Sequence, residues 1–198
     1  PDWSRGLGDV YKRQFYDKQK IKNFKALERN HSHQLVEECM ILANVCAAEL
    51  ISKSKIPTIY RSHEKPDPLK IMNLKNFLTS RQIKKNMDSY KTRENLISWM
   101  KAAKKTKNYE VIMIQILRSM SLAKYDPKLT SHFALSIEKY THFTSPIRRY
   151  ADLVVHRCIK ELISQKISSL SSKKEFTKSN SFPYSTNAMS DIAEDIST

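Results

Sequence analysis

Residues 140–157 read YTHFTSPIRRYADLVVHR, and the second half of this stretch has the periodicity of an α-helix. Ser145 is a suitable N-cap, and Pro146 suits the first helical position because it has no N–H to leave unpaired. Apolar residues then recur at steps of three and four, as they do along a helix that buries one face: Ile147, Ala151, Val154, Val155, Cys158 and Leu162. The pattern predicts a helix that begins at Ser145 and packs one stripe into a core.

Two arginines follow the predicted helix start. Arg148 and Arg149 would stand in the first turn, where unpaired backbone N–H groups already create a positive potential. Each added cation is unfavourable by about 0.3–1 kcal/mol unless an anion offsets it. A phosphate could do so, because its oxygens accept from backbone N–H groups, from the Thr144 or Ser145 hydroxyl, and from a guanidinium. The spacing therefore indicates a phosphate-binding turn.

An internal ion pair is the alternative interpretation of the same residues. Asp152 comes four residues after Arg148 and three after Arg149, so a helix would bring it close to both. One carboxylate neutralises one arginine comfortably and leaves the other without a partner. The residues alone keep both interpretations open.

Residues 32–52 predict a second helix, which contains two polar residues of interest. The segment is long, apolar on most faces and free of Gly and Pro, so we expect a helix buried nearly all round. Glu37 and Asn44 are nearly two turns apart and therefore share a face. Buried polar groups need partners. Glu37 could accept hydrogen bonds from a ribose hydroxyl, or it could pair with a core arginine or lysine.

Aromatic rings surround the two arginines. His142 and Tyr140 could stack on bases or sugars, whereas Phe143 and Tyr150 are more simply explained as core residues. Three other histidines show no metal-binding spacing such as H-E-x-x-H: His63, His132 and His156. The pattern does not indicate metal ligation by histidine.

The composition favours a globular protein with a polyanionic partner. The 198 residues are 40% hydrophobic and carry 35 Lys and Arg against 20 Asp and Glu, a formal net charge of +15. Such a surplus favours phosphate contacts and counterion release, although a merely solvated basic surface gives the same charge. The cysteines, Cys39, Cys46 and Cys158, form no C-x-x-C pair, and no apolar run is long enough to span a bilayer. We expect a cytoplasmic protein that does not enter a membrane.

Several shorter segments have recognisable patterns. They predict a β-prone run (55–61) followed by three further helices (from Pro66 or Pro68 to 78, 96–103 and 109–122). They also predict a turn (125–127), a short strand (133–137), a surface loop (167–186) and a final helical pattern (189–196).

Five quoted blocks resemble the RNB exoribonuclease family, to which ribonuclease R and ribonuclease II belong. The long and specific block is YTHFTSPIRRYADLVVHR, and the others are LVEECMILANVCAAE, IYRSHEKP, ILRSMSLAKYDP and HFALSIEKY. The likeness extends from about Lys25 onward and is closer to ribonuclease R. It implies an α+β fold, of which this portion is mostly helical with two or three short strands.

The resemblance also implies roles for individual residues. Arg148 matches the catalytic arginine that holds the scissile phosphate, Arg149 is its neighbour, and Glu37 matches a carboxylate that contacts the sugar near the 3′ end. Members of the family hydrolyse single-stranded RNA from the 3′ end, processively, to nucleoside 5′-monophosphates with paired Mg²⁺ ions. We expect single-stranded RNA as the partner and a monomeric protein, with Asn44, His142, Thr144, Ser145 and Arg149 as further RNA-binding residues.

The sequence departs from the family pattern at both ends. Ser4–Gln14, SRGLGDVYKRQ, resembles a translated sequencing adaptor, so residues 1–14 are predicted to be an artefact and residues 15–198 a portion of the RNB domain truncated on both sides. The family's metal-binding aspartates precede the 32–52 helix, and here Asp17 and Glu28 are isolated carboxylates. We therefore expect no Mg²⁺ ligands in this chain and no activity of the fragment alone; a non-catalytic basic RNA-binding module is the alternative function.

Overall fold

The computed structural model of the chain describes residues 12–17, 20–26, 30–81, 83, 93–172 and 183–197. These residues form an α+β structure that is mostly helical, as predicted. Its elements are β1 (Lys12–Asp17), β2 (Lys20–Ala26), α1 (His31–Ser54), β3 (Tyr60–His63), α2 (Pro68–Ser80), α3 (Arg93–Ala103), α4 (Tyr109–Ser119), β4 (Ala123–Asp126), α5 (Tyr150–Ser172) and α6 (Thr186–Asp195). The chain divides into two units, residues 1–42 and 43–198. None of the described helices combines the length and apolarity needed to cross a lipid bilayer.

The first unit contains the antiparallel strands β1 and β2. Their pairing starts with Lys12 opposite Ala26 and ends with Asp17 opposite Lys20. Strand β1 thus includes residues 12–14, the last three of the segment predicted to derive from an adaptor. The origin of that segment stays a prediction.

Helix α5 supplies the centre of the core in the second unit. Five residues of its predicted stripe are buried: Ala151, Val154, Val155, Cys158 and Leu162. All but Leu162 belong to one cluster with residues of α1, α6 and the segment before β3: Ala47, Ile51, Ile59, Met189 and Ala193. The predicted apolar stripe is confirmed for these positions, because their spacing keeps them on the covered side of the helix.

The sequence predicts that helix α5 begins at Ser145, whereas in the structure it begins at Tyr150. The Arg148 amide donates to the Ser145 carbonyl at 3.3 Å, and Pro146–Arg148 form a separate turn before the helix. Ile147 lies on this turn and is fully exposed, so its predicted place in the buried stripe is wrong. The reason is that a residue outside the helix does not follow the helical spacing that buries the others.

Helix α1 is buried along one side of its second half. The buried residues are Asn44, Ala47, Ala48 and Ile51. The first half instead exposes large apolar side chains: Leu35, Val36, Met40 and Leu42. The predicted burial nearly all round is therefore wrong for this helix, because apolar side chains lose their contact with water only where another element covers them.

Strands β3 and β4 pair antiparallel, from Tyr60 opposite Asp126 to His63 opposite Ala123. The turn predicted at 125–127 is wrong for its first two residues, because pairing with β3 satisfies their backbone groups. Residues 133–136 form a turn in place of the strand predicted at 133–137. Isolated β-bridges join His132 to His63 and to Ile137.

Two other boundaries bear on the predictions. The Asp67 carboxylate caps α2 by accepting from the Leu69 amide at 2.8 Å, with Pro68 at the first helical position, which confirms the predicted start. Helix α5 continues six residues into the segment predicted as a loop (167–186). Residues 173–182 of that segment lie outside the described residues.

We predict that Leu162→Ala lowers the free energy of unfolding by about 2–4 kcal/mol. Leu162 is only 2% exposed, so its truncation leaves a cavity in the core. The matched control is Ile147→Ala, which removes the same kind of group from a fully exposed position and should change the free energy by less than about 0.5 kcal/mol. Urea denaturation of the two variants measures both values. Equal losses would contradict the placement of the two residues.

Candidate nucleic-acid interface

Arg149 is held by a buried carboxylate. Its Nε and Nη2 donate to the two Asp152 oxygens at 2.7 and 2.8 Å. The Asp152 side chain is fully buried, so this bidentate pair neutralises both charges inside the protein. Of the two interpretations of the arginine pair, the internal ion pair is the one that the structure shows for Arg149.

The same carboxylate fixes the start of the turn that carries Arg148. Asp152 Oδ1 also accepts from the Ser145 amide at 2.8 Å. Ser145 is thus held by its backbone, and no hydrogen bond of its hydroxyl caps α5 among the described residues. Both arginines lie just before the helix and not in its first turn, because α5 begins at Tyr150.

Arg148 is the exposed member of the pair. Within the described residues no hydrogen bond or ion pair engages its guanidinium, whereas its amide is fixed by the Ser145 carbonyl. The half-buried Thr144 and Ser145 precede it, and their hydroxyls have no hydrogen-bond partner in the described part of the chain. A guanidinium and two hydroxyls are therefore available to an external anion on this turn.

Asn44 supports the turn from inside the protein. Its Oδ1 accepts from the amides of Phe143 and Thr144 at 2.9 and 3.2 Å, and its Nδ2 donates to the Tyr140 hydroxyl at 3.0 Å. The side chain is 3% exposed and its polar atoms are bound within the protein, while the RNA contact predicted for Asn44 stays a prediction. Asn44 positions the backbone that leads to Arg148.

His142 belongs to a cluster of rings beneath the same segment. Its Nδ1 is 2.7 Å from the Tyr125 hydroxyl, and its ring meets the edges of Tyr125 and Tyr140 at centroid distances of 5.6 and 5.9 Å. Burial, reinforced by the charges of Arg149 and Arg61, lowers the pKa of His142 to about 3. The imidazole is consequently neutral at pH 7 and does not add a cation to the turn.

Phe143 and Tyr150 differ in their environment, although both are predicted as core residues. Phe143 packs against the core and stacks on His156 at 4.2 Å between centroids, which confirms the prediction. Tyr150 is 48% exposed, so the prediction is wrong for this residue. It stands at the first position of α5, outside the stripe that begins with Ala151.

Glu37 lies on α1 in the first unit, residues 1–42, and its side chain is half-buried. The sugar contact implied for it stays a prediction. No three His, Cys, Asp or Glu side chains in the described ranges lie close enough to hold a metal ion.

Sequence reasoning misses Arg61 and Tyr125. The Arg61 guanidinium lies 4.6 Å from the centroid of the Tyr125 ring, and the Arg61 amide donates to the Tyr140 carbonyl at 2.9 Å. Arg61 stands in the quoted block IYRSHEKP, but no local pattern marks a contact between residues that are 64 positions apart. The β-prone run predicted at 55–61 overlaps β3 and so indicates the strand, but it does not indicate the partner ring.

Comparisons with known proteins agree with the quoted motifs. Residues 8–165 match the family model described as the RNB domain. Ribonuclease R of Buchnera aphidicola subsp. Schizaphis graminum is 40% identical over 144 residues, 73% of this chain and 20% of that protein. The chain spans about a fifth of the length of the curated relatives it matches.

Two solved structures share the fold. Mycoplasma genitalium RNase R in complex with ribose methylated single-stranded RNA superposes with a TM-score of 0.75 at 26% identity, over 96% of this chain and 29% of that chain. Yeast Ssd1, a pseudonuclease, superposes with a TM-score of 0.58 at 24% identity, over 85% of this chain and 20% of that chain.

We predict that Asn44→Ala lowers the free energy of unfolding by about 2–4 kcal/mol, because two amides and a buried hydroxyl lose their partner. Asn187→Ala, which truncates an exposed asparagine of α6, is the matched control and should change the value by less than about 0.5 kcal/mol. Denaturant titration measures both. A loss at Asn44 no larger than at Asn187 would show that the amide does not hold the turn.

We predict that the His142 imidazole stays neutral well below the ordinary pKa of 6.5 and takes up a proton only near pH 3. Since the folded pKa lies below the unfolded value, the folded state binds fewer protons. The stability that this group contributes is present above about pH 6.5 and is lost as the pH falls through about 3. Titration of the ring resonances by NMR tests the prediction, and a midpoint near 6.5 would contradict it.

Proposed function

We propose, from the premise that this chain belongs to the RNB domain family, that it is part of an exoribonuclease that degrades RNA from the 3′ end. The single observation that carries the proposal is the exposed guanidinium of Arg148, which has no partner among the described residues and stands on a turn with a fixed backbone. We assign this role to Arg148 and not to Arg149, because the Arg149 guanidinium is already bound by the Asp152 carboxylate.

The proposed role of Arg148 is to hold the scissile phosphate and to offset the charge that develops on it during hydrolysis. A charge that is already in place costs no reorganisation at the moment of reaction, which is why such groups contribute strongly to catalysis. Asn44 and Asp152 hold the backbone before Arg148 at three amides, those of Phe143, Thr144 and Ser145. The hydroxyls of Thr144 and Ser145 would complete the phosphate site.

The Mg²⁺ that the family implies is proposed for the complete enzyme. The described residues do not fit such an ion, because no group of three potential ligands comes together in them. When bound, Mg²⁺ would activate water and stabilise the leaving oxygen. We propose that its ligands belong to other parts of the enzyme, so that the residues of this chain alone would bind RNA without cutting it.

We propose single-stranded RNA as the substrate, with processive release of nucleoside 5′-monophosphates by a monomeric, cytoplasmic protein. The net charge of +15 supports a polyanionic partner. The similar structures of Mycoplasma genitalium RNase R include complexes with single-stranded and with double-stranded RNA, which supports RNA as the partner. The cysteines Cys39, Cys46 and Cys158 are free, which fits a reducing compartment.

A non-catalytic RNA-binding module is the second candidate. The likeness to yeast Ssd1 concerns the fold alone, and a fold does not determine whether a site cuts its ligand. Release of mononucleotides by the product of the full-length gene distinguishes the two candidates. A merely basic surface would bind RNA and heparin alike in a salt titration, whereas both candidates should prefer RNA.

We predict that Arg148→Ala in the full-length gene product slows release of mononucleotides from single-stranded RNA by about 10²–10³-fold, equivalent to about 3–4 kcal/mol. The measurement is single-turnover hydrolysis of an end-labelled strand. Folding should be unaffected because the side chain is exposed.

Arg118→Ala on α4 is the matched control, since it removes an equally exposed arginine outside the turn and should leave the rate unchanged within about twofold. Equal rates for the wild type and Arg148→Ala would reject the role given to Arg148. No release by the wild type would favour the non-catalytic candidate.

A further inference from the structure

We propose that Arg61 binds a second phosphate of the RNA strand whose scissile phosphate is assigned to Arg148. The inference deepens the proposed function and depends on it for the identity of the strand. Arg61 is half-buried on β3, within the quoted block IYRSHEKP, but no local pattern marks it as a phosphate ligand.

The position of the guanidinium is fixed from two sides. The Arg61 amide donates to the Tyr140 carbonyl at 2.9 Å, which joins β3 to the first residue of the segment that leads to Arg148. The side chain lies over the Tyr125 ring at 4.6 Å, and the hydroxyl of that ring is 2.7 Å from His142 Nδ1. An arginine that is ordered before binding loses less side-chain entropy when it binds an anion.

The charge of Arg61 is not neutralised within the described residues. Of the cations on the two paired strands and the adjoining turn, Lys124 is bound by Glu64 at 2.6 Å and Arg149 by Asp152. No acidic side chain in the described ranges pairs with Arg61. His142 and His132 lie within the field of Arg61, which contributes to lowering the pKa of both rings. Neither ring can supply a negative charge, so Arg61 has no compensating anion among the described residues.

The geometry favours a phosphate over a nucleobase as the ligand. The guanidinium carbon already lies over the Tyr125 ring, so a base would compete with this ring for the stacking contact. The N–H groups of Arg61 have no side-chain acceptor among the described residues, and their planar fork matches two oxygens of one phosphate. Backbone phosphates recur along every strand of RNA, so a second contact would also help to set the register of the strand relative to Arg148.

The test is the salt dependence of RNA binding by the full-length gene product. Fluorescence anisotropy of a labelled single-stranded RNA is followed over a range of salt concentrations, with divalent metal removed by chelation so that the strand is not turned over. We expect Arg61→Gln to weaken binding by about tenfold at low salt and to reduce the slope of log K against log salt by about one. Arg61→Lys should keep the slope but lose about threefold in affinity, because it retains the charge without the planar fork.

Arg118→Gln is the matched control and should leave both the slope and the affinity nearly unchanged, because Arg118 lies on α4, apart from the ring cluster. An unaltered slope for Arg61→Gln, or an equal change for Arg118→Gln, would overturn the proposal. If Arg61→Gln fails to fold, Arg61→Met, which keeps the aliphatic stem and removes the charge, is measured instead, and an unaltered slope in that variant would overturn the phosphate contact.

The two proposals fail in different ways. A wild type that releases no mononucleotides but shows the expected slope change at Arg61 would remove the exonuclease assignment and keep the phosphate contact. A wild type that releases mononucleotides while Arg61→Gln keeps the full slope would do the opposite.

Discussion

The buried carboxylate of Asp152 is the constraint on which the candidate site depends. A fully buried carboxylate is costly unless charged and hydrogen-bonded partners surround it, and here three N–H groups of Arg149 and Ser145 do so. Because Asp152 belongs to the first turn of α5, which packs into the core, the carboxylate ties the preceding turn to the helix at the centre of that core. Arg148 is left outside this arrangement, with its backbone fixed and no partner for its guanidinium among the described residues.

A second group of polar contacts reaches the same turn from the opposite direction. Asn44 extends from the covered side of α1 and binds two amides of the turn, while its amide group also orders Tyr140. Tyr140, His142 and Tyr125 then form a set of rings, in which the Tyr125 hydroxyl is bound to His142 Nδ1 and the Tyr140 hydroxyl accepts from Asn44. Networks of this kind stabilise one conformation, because any alternative leaves buried polar groups without partners.

The distribution of charge follows from these contacts. Arg149 is neutralised by Asp152 within the protein, and His142 is kept uncharged by burial. Arg148 and Arg61 have no acidic partner among the described residues, and one is exposed on the turn while the other lies over a tyrosine ring. Two cations of this kind suit a polyanion that presents its charges at regular intervals along a strand.

The sequence by itself determined the family, the mostly helical α+β class and the apolar stripe of α5, because these depend on local periodicity and on a long specific motif. It left open whether Asp152 or an external phosphate would bind the second arginine, and it placed the helix start, Ile147 and Tyr150 incorrectly. Only the tertiary structure decided those points. The partners of Asn44 and Arg61 are about 100 and 64 residues away, and no local pattern encodes which distant groups a fold will bring within hydrogen-bonding distance.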